Sequence, residues 1–212
     1  MPIVFLHGLG QRPEDWNAVV SRLDKGSRAL CPNLYALERE GEDYSSLYGA
    51  FEQYCDSLEG PLDLCGLSLG GVLALQYAAE HPQRVNSLAL IGARASMPKV
   101  LMTVQNLLFR LMPADSFRKL GLEKGTAIRL CASMADLDLR PELEQVACPV
   151  LVLCGEQDRA NRRAGEALAR MLPQAEFRLI AEGGHESNKD APEALSVLLT
   201  DFYRGRAAVQ KI

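Results

Sequence analysis

Six short apolar segments, spread along almost the whole chain, constrain the fold more than any other feature of this sequence. They contain few polar residues and end at or near glycine or proline, which is typical of parallel strands buried on both faces. The segments are Pro2–Leu6, Arg28–Cys31, Leu62–Cys65, Ser87–Ile91, Pro149–Cys154 and Glu176–Ile180. The stretches between them have amphipathic helical periodicity, at Pro13–Leu23, Asp43–Leu58, Leu69–Glu80, Ala164–Leu172 and Pro192–Tyr203. This alternation predicts an α/β fold with a doubly wound, mainly parallel sheet of about six strands and helices on both faces.

One stretch, residues 96–144, interrupts the alternation. It contains no convincing strand, and its apolar helical periods are interrupted at Pro113, Gly121 and Gly125. The stretch is several times longer than a crossover between two parallel strands requires. We therefore expect residues 1–95 and 145–212 to form the α/β core and residues 96–144 to form a helical lid insertion. The alternative is a single long crossover that packs on the sheet.

The composition excludes several classes of protein. The 212 residues include 23 basic and 27 acidic side chains, for a net charge of −4, so no basic face for nucleic acid is expected. No apolar run reaches the ~18 residues of a membrane span, and the N-terminus does not resemble a signal peptide. The six cysteines form no CxxC pair and are typical of reduced core thiols, which predicts a cytoplasmic protein without a metal site.

The strongest chemical signal is Gly66-Leu67-Ser68-Leu69-Gly70, between a predicted strand and a predicted helix. A GxSxG at such a junction is a nucleophile elbow, in which the glycines permit a sharp turn and the serine hydroxyl stands free. The helix N-terminus directs backbone N–H groups toward developing negative charge. We therefore predict that Ser68 is a catalytic nucleophile.

A serine hydroxyl needs a base to take its proton, and the base needs an orienting acid. His185 follows the last predicted strand, at the same carboxyl edge of the sheet as Ser68, where open α/β sheets bind ligands. His81 lies at the far end of the helix that follows Ser68, and His7 is expected to shape its own turn by hydrogen bonding. His185 is therefore the predicted base.

The acid is expected at the end of another strand. Asp158 follows the strand Pro149–Cys154 and a glycine turn, and Glu156 is its competitor. We favour Asp158, which gives the chain order Ser68, Asp158, His185 for nucleophile, acid and base.

Two backbone amides are predicted to form the oxyanion hole. The turn His7-Gly8-Leu9-Gly10 directly follows the first strand, and the N–H of Leu9 is the best placed donor in it. The second donor is the N–H of Leu69, the residue after the nucleophile.

Together these motifs resemble the α/β-hydrolase superfamily. The matching segments follow the family's order over nearly the whole chain: Phe5-Leu6-His7-Gly8 with Trp16 downstream, Gly66–Gly71, His81–Val85, Pro149–Asp158 and Gly183-Gly184-His185 followed by Pro192-Glu193. The resemblance implies a Ser-Asp-His triad, no cofactor, and substrates that are usually esters or thioesters and sometimes lactones or C–C bonds. It does not select one member of the superfamily.

The chain departs from the superfamily near its first residues. Members usually have a β-hairpin before the strand that ends in His-Gly, whereas that strand begins here at Pro2. We therefore expect a compact fold with six parallel strands and a short lid. Arg28–Cys31 then becomes an edge strand. Because the unpaired edge of a sheet can pair with another strand, the sequence is compatible with both a monomer and a homodimer.

The sequence says less about the substrate than about the catalytic residues. Apolar lid residues would accept an acyl chain if they face the pocket, and otherwise they pack the lid onto the sheet. They are Met97, Val100, Leu101, Met102, Val104, Leu107, Leu108, Phe109 and Met112. Arg94 and Arg159 lie at the catalytic edge and are candidates to hold a carboxylate or phosphate. A solvated surface position is favoured for Arg162 and Arg163.

Three functions fit these residues. The first, which we favour, is a serine hydrolase that cleaves a small-molecule carboxylic ester or thioester through an acyl-enzyme intermediate. The second is a lyase or C–C bond hydrolase that uses the same triad to move protons. The third is a non-enzymatic sensor of a small ligand, against which the complete triad argues.

Overall fold

A computed structural model of the chain describes residues 2–23, 28–118 and 121–209. Six strands lie within them: β1 (Pro2–Leu6), β2 (Arg28–Leu30), β3 (Leu62–Leu67), β4 (Val85–Ile91), β5 (Val150–Gly155) and β6 (Ala175–Ile180). They form one sheet in the order β2-β1-β3-β4-β5-β6, and every neighbouring pair is parallel. The predicted α/β class and six-stranded parallel sheet are confirmed.

Helices connect the strands. The α-helices are α1 (Asn17–Val20), α2 (Tyr44–Asp56), α3 (Leu69–Glu80), α4 (Lys99–Leu111), α5 (Ala114–Arg118), α6 (Lys124–Ser133), α7 (Arg159–Met171), α8 (Ser187–Asp190) and α9 (Pro192–Val209). Short 3₁₀ helices cover Pro13–Trp16, Pro82–Arg84 and Arg140–Gln145. No helix within residues 2–23, 28–118 and 121–209 is both long enough and apolar enough for a membrane span.

Three predicted helices differ clearly from those observed, and one of them, predicted at Pro192–Tyr203, continues to Val209. The helix predicted at Pro13–Leu23 is a 3₁₀ turn followed by the single α-helical turn α1. The helix predicted at Ala164–Leu172 begins earlier, at Arg159, because the Asp158 side chain caps its N-terminus by accepting the Asn161 N–H. The first turn of α7 is polar, so its apolar periodicity does not mark this start.

The core has two layers, one on each face of the sheet. Val4 and Leu6 of β1 face the layer that contains α2, α3 and α7, whereas Ile3 and Phe5 face the layer that contains α1 and α9. This alternation follows from the two-residue period of a strand, and it explains why the strands are apolar on both faces.

The segment 96–144 consists mainly of α4, α5, α6 and the third 3₁₀ helix, as its lack of strand pattern predicts. Its two ends are tied together. The Leu139 N–H donates to the Ala95 carbonyl at 2.7 Å, and the Met97 N–H donates to the Leu137 carbonyl at 3.2 Å. The polypeptide therefore leaves the core and rejoins it at nearly the same point. The division into core and lid stays a prediction.

The strand β2 forms one edge of the sheet, as expected for this segment. It is three residues long and shorter than the predicted Arg28–Cys31 by one residue. Pairing of two copies through this edge stays a prediction.

Candidate active site

Ser68 lies in the turn between β3 and α3, in a strained backbone conformation. Its φ is 51° and its ψ is −112°, and Glu182 is the other non-glycine residue with positive φ in the described part of the chain. A Cβ on Gly66 would overlap the backbone of Gly70, and one on Gly70 would overlap the Leu6 carbonyl. The glycines of the motif are thus required by close packing, and the turn holds Ser68 in a conformation that costs about 1–3 kcal/mol.

His185 and Asp158 are brought together from loops that follow β6 and β5. The Nδ1 atom of His185 lies 2.7 Å from Oδ2 of Asp158. Burial by itself would raise the pKa of Asp158, but hydrogen bonds from His185 and Asn161 outweigh it and hold this pKa below its usual value. The carboxylate is therefore ionised at neutral pH, and Nδ1 of His185 is the donor in this pair.

Glu156, the competing acid, is engaged elsewhere. It is exposed, and its carboxylate accepts the backbone N–H of Glu182 at 3.1 Å. This bond braces the start of the loop that contains His185. The preference for Asp158 over Glu156 is supported by these contacts.

The turn after β1 leaves one backbone amide without an acceptor among the described residues. The N–H groups of Gly8, Gly10 and Gln11 donate to the Gln11 side chain, to the Tyr35 hydroxyl and to the Gly8 carbonyl, respectively. Leu9 has no such partner. Both Leu9 and Leu69 border the cavity that contains Ser68, as the expected oxyanion donors should.

A cavity of about 360 Å³ joins these groups. Ser68 and His185 both line it, and most of the remaining wall is apolar. The apolar lining comes from the core, through Leu9, Leu69 and Val72, and from the segment 96–144, through Met97, Met102, Phe109, Cys131 and Met134. Its volume lies within the range of about 300–1,000 Å³ that is common for small-molecule sites.

The same order of elements and motifs is found in known proteins. The sequence model of the Alpha/beta hydrolase family matches residues 3–196, which is most of the chain. The protein belongs to the α/β-hydrolase family.

Three relatives illustrate the range of this family. The hydrolase is 31% identical to a pimeloyl-[acyl-carrier protein] methyl ester esterase of Aromatoleum aromaticum, over 96% of this chain and 98% of that one. It is 24% identical to a monoacylglycerol lipase of Xenopus laevis, over 94% of this chain and 74% of the lipase. Its fold matches that of an enol-lactonase from Burkholderia xenovorans with a TM-score of 0.79 and 24% identity, over 96% of this chain and 91% of the lactonase. The esterase and the lipase support a hydrolase that cleaves esters, and the lactonase supports the fold.

The predicted substrate-binding residues of this hydrolase divide into two groups. Phe109 and Arg94 line the cavity, whereas Leu108 and Arg159 do not. On α4 the positions of Met102 and Phe109 share the inner face, while Leu108 lies on another face with 55% of its side chain exposed. Leu108 and Arg159 therefore do not border this cavity, and a role in substrate binding stays a prediction for all four residues. The side chains of Val100, Leu101 and Val104 lie outside the described part of the structure.

The other two histidines have structural partners. The Nδ1 of His7 donates to the Gly8 carbonyl at 3.0 Å, and its Nε2 accepts the Leu34 N–H at 3.1 Å. Burial lowers the pKa of His7 despite its bond to Gly8, so this ring is neutral at neutral pH. His81 bonds to Glu52 at 2.8 Å, at the opposite end of α3 from the nucleophile.

A metal could be considered at one group of side chains within the described residues, formed by Glu52, Glu80 and His81. Each of them already has a protein partner, since His81 bonds to Glu52 and Glu80 accepts bonds from Tyr48 and Gln76. These partners account for the cluster without an ion.

Two structural features of the site were missed in the sequence. Gly92, just after β4, has a positive φ of 57°, and a Cβ there would lie 3.1 Å from the His185 ring. Asn188 of α8 is buried and bonds to Gln11 at 3.0 Å, which ties the His185 loop to the turn with the oxyanion donor. A glycine directly after a strand was a visible signal for Gly92. Asn188 had none, because its partner is distant in sequence.

Proposed function

We propose that this hydrolase is a serine esterase that cleaves a small carboxylic ester or thioester through an acyl-enzyme intermediate. The observation that carries the proposal is one constellation around a single cavity. A strained Ser68 at a strand–helix turn borders the same cavity as His185, whose Nδ1 is bonded at 2.7 Å to a buried, ionised Asp158. Acyl transfer needs these three roles together.

The mechanism follows from the roles of these groups. His185 takes the hydroxyl proton of Ser68 at Nε2 while the serine oxygen attacks the substrate carbonyl. The N–H groups of Leu9 and Leu69 donate to the resulting oxyanion. When the tetrahedral intermediate collapses, His185 gives the proton to the departing alcohol or thiol, which leaves an ester on Ser68. Water then attacks this ester with His185 again as base, which releases the acid and restores the serine.

Asp158 has a supporting role in both steps. Its bond to Nδ1 of His185 keeps the Nε2 atom free of a proton in the resting enzyme, so that this atom can act as the base. The negative charge then stabilises the imidazolium that forms during attack.

The substrate is expected to have an uncharged, largely apolar acyl group. The wall is mainly apolar and contains three methionines, Met97, Met102 and Met134, whose flexible side chains adapt to different chains. Relatives named as a methyl ester esterase and a lipase act on oxygen esters, which favours these over thioesters. Arg94 is a weak candidate for an anion because its guanidinium already bonds to Asn161 and to the Ala160 carbonyl.

We also propose that residues 96–144 act as a lid. The segment supplies a large part of the cavity wall. Backbone hydrogen bonds join its two ends where it leaves and rejoins the core. On α4, Leu107 and Leu111 are 59% and 75% exposed, so the outer face of this helix has no covering layer in the described structure. A helix held mainly by its inner face can move away from the cavity without unfolding the sheet.

The decisive experiment uses a fluorophosphonate probe with wild type and Ser68→Ala, followed by a panel of p-nitrophenyl esters and acyl-thioesters of graded chain length. We expect the probe to label wild type on Ser68 and to leave the variant unlabelled, with kcat lowered on the order of 10⁴–10⁶-fold. Activity of Ser68→Ala within tenfold of wild type would reject Ser68 as the nucleophile. Labelling without turnover of any ester or thioester would reject the substrate class.

A further inference from the structure

Asn161, in the first turn of α7, contacts both members of the acid–base pair. Its side-chain Nδ2 lies 3.0 Å from Oδ1 and 2.8 Å from Oδ2 of Asp158, and its backbone N–H donates to Oδ1 at 3.3 Å. The same Nδ2 atom is 3.1 Å from Nδ1 of His185. The amide therefore lies at the junction of the carboxylate and the imidazole, on the wall of the cavity.

Arg94 determines which way this amide faces. Its Nε donates to Oδ1 of Asn161 at 2.7 Å, and a second guanidinium nitrogen donates to the Ala160 carbonyl at 2.6 Å. A guanidinium has no acceptor, so the oxygen of the amide must face Arg94 and its NH₂ must face Asp158. The reverse orientation would direct an amide oxygen at a carboxylate, which is repulsive.

We propose that Asn161 and Arg94 are positioning residues for the acid–base pair of this hydrolase, with Arg94 acting through Asn161 and not on the substrate. This inference rests on the proposed function. The amide anchors Oδ1 of Asp158, so that Oδ2 stays directed at His185. It also competes with His185 for the carboxylate, because two donors share its negative charge. Asn161 thereby helps to set the orientation of the imidazole.

The charged and titratable groups near His185 determine how a pH profile of kcat/KM is interpreted. Asp158 and Arg94 are bonded into the cluster, and Arg162 on α7 is paired with Glu166. On the loop of His185 itself, Glu186 is paired with Lys189.

The Cys154 thiol at the end of β5 is a further titratable neighbour of Asp158, and its Sγ donates to the Asp158 backbone carbonyl at 3.5 Å. Burial, with a smaller contribution from the Asp158 charge, raises the pKa of Cys154 to about 11. The thiol therefore stays neutral over the working range and does not contribute to the acid limb of the pH profile.

The first test measures kcat and KM against pH for wild type, Asn161→Leu and Asn161→Asp with one p-nitrophenyl ester. Asn161→Leu removes both side-chain donors and should lower kcat about 10–100-fold with KM unchanged, because the imidazole is less well held. Asn161→Asp has the same shape and adds negative charge beside His185. It should move the acid limb of kcat/KM to higher pH by about one unit, since a nearby carboxylate favours the protonated imidazole.

The second test is a double-mutant cycle between the two residues. Arg94→Met alone should reproduce the loss in kcat, and Arg94→Met with Asn161→Leu should be no slower than Asn161→Leu alone, because both changes break one chain of contacts. Arg163→Met is the matched control, since Arg163 is exposed on the same helix and should keep wild-type kinetics.

Two outcomes would overturn the proposal. One is additive losses with a raised KM for Arg94→Met, which would mean that Arg94 binds substrate directly. The other is an unmoved acid limb in Asn161→Asp, because a purely structural role would leave the pH profile in place. Fluorophosphonate labelling of wild type separates these failures from failure of the proposed function, since labelled wild type with unaffected variants rejects only the positioning role.

Discussion

Gly92 offers the sharpest test of how the backbone holds the acid–base pair. It follows β4 with a φ of 57°, and a Cβ built on it would lie 3.1 Å from Cε1 and Nδ1 of His185 and 3.5 Å from Oδ2 of Asp158. The change Gly92→Ala therefore places a methyl group directly against the hydrogen bond between the base and its acid.

The magnitude has two parts. The left-handed conformation costs an alanine about 1–2 kcal/mol. At about 2–4 °C per kcal/mol for a chain of this size, this strain should lower Tm by about 2–8 °C. Ordinary carbon contacts lie at about 3.5–4.0 Å, so the His185 ring must also move by several tenths of an ångström. Because a misplacement of about 1 Å can cost 10²-fold in rate, we expect kcat to fall about 10–100-fold.

The chain provides a matched control for the strain. Gly60 also has a positive φ, of 71°, but no heavy atom lies within 4 Å of its ideal Cβ. Gly60→Ala should therefore lower Tm by a similar amount and leave kcat unchanged. The assay is kcat on a p-nitrophenyl ester at saturating substrate together with thermal unfolding of each variant.

Two results would refute this reasoning. Wild-type kcat in Gly92→Ala would show that the methyl group does not disturb His185. An equal loss of kcat in Gly60→Ala would show that general strain, and not local displacement, lowers the activity.

The remaining predictions concern the acid and the cavity. Asp158→Asn should lower kcat about 10²–10⁴-fold because the imidazole loses its tautomer-fixing partner, while Glu156→Gln should stay near wild type; the opposite result would make Glu156 the acid. Phe109→Asp should raise KM for long-chain esters, whereas Leu108→Asp, exposed on the same helix, should not; equal effects would reject this cavity as the acyl site. Since the pKa of Asp158 is lowered on folding, its contribution to the free energy of unfolding should disappear as pH falls below about 4, so urea unfolding should show wild type and Asp158→Asn converging there.

The strands show how much of the fold is visible in the sequence. All six were predictable because most of their residues are apolar, although Glu176 and Arg178 of β6 are exposed. Five of the six strands nevertheless had at least one end misplaced by one or two residues. For β3 the end was missed because Gly66 and Leu67 pair with Leu90 and Ile91 of β4, although their sequence pattern already suggested a turn. Strand ends depend on hydrogen bonds to neighbours, which single-chain periodicity does not include.

In the candidate site, too, the features that depend on local sequence were predictable and those that depend on distant contacts were not. The positions of Ser68, Asp158 and His185 follow from local patterns at strand ends, and the topology then brings those ends to one edge. Arg94 was also noticed, but as an anion site, because the sequence does not show that Asn161, 67 residues away, accepts its hydrogen bond.

The sequence by itself determined the order of strands and helices, the sharp turn at Ser68 and the chemistry of its partners. Each of these depends on the spacing of apolar residues along a strand or helix, or on glycines at fixed distances from Ser68. Both are properties of a few consecutive residues. Only the tertiary structure decided that Phe109 faces the cavity while Leu108 faces outward, and that Asn161 joins Asp158 to Arg94. These contacts depend on how a helix is rotated about its own axis and on which loops meet, and packing over the whole chain determines both.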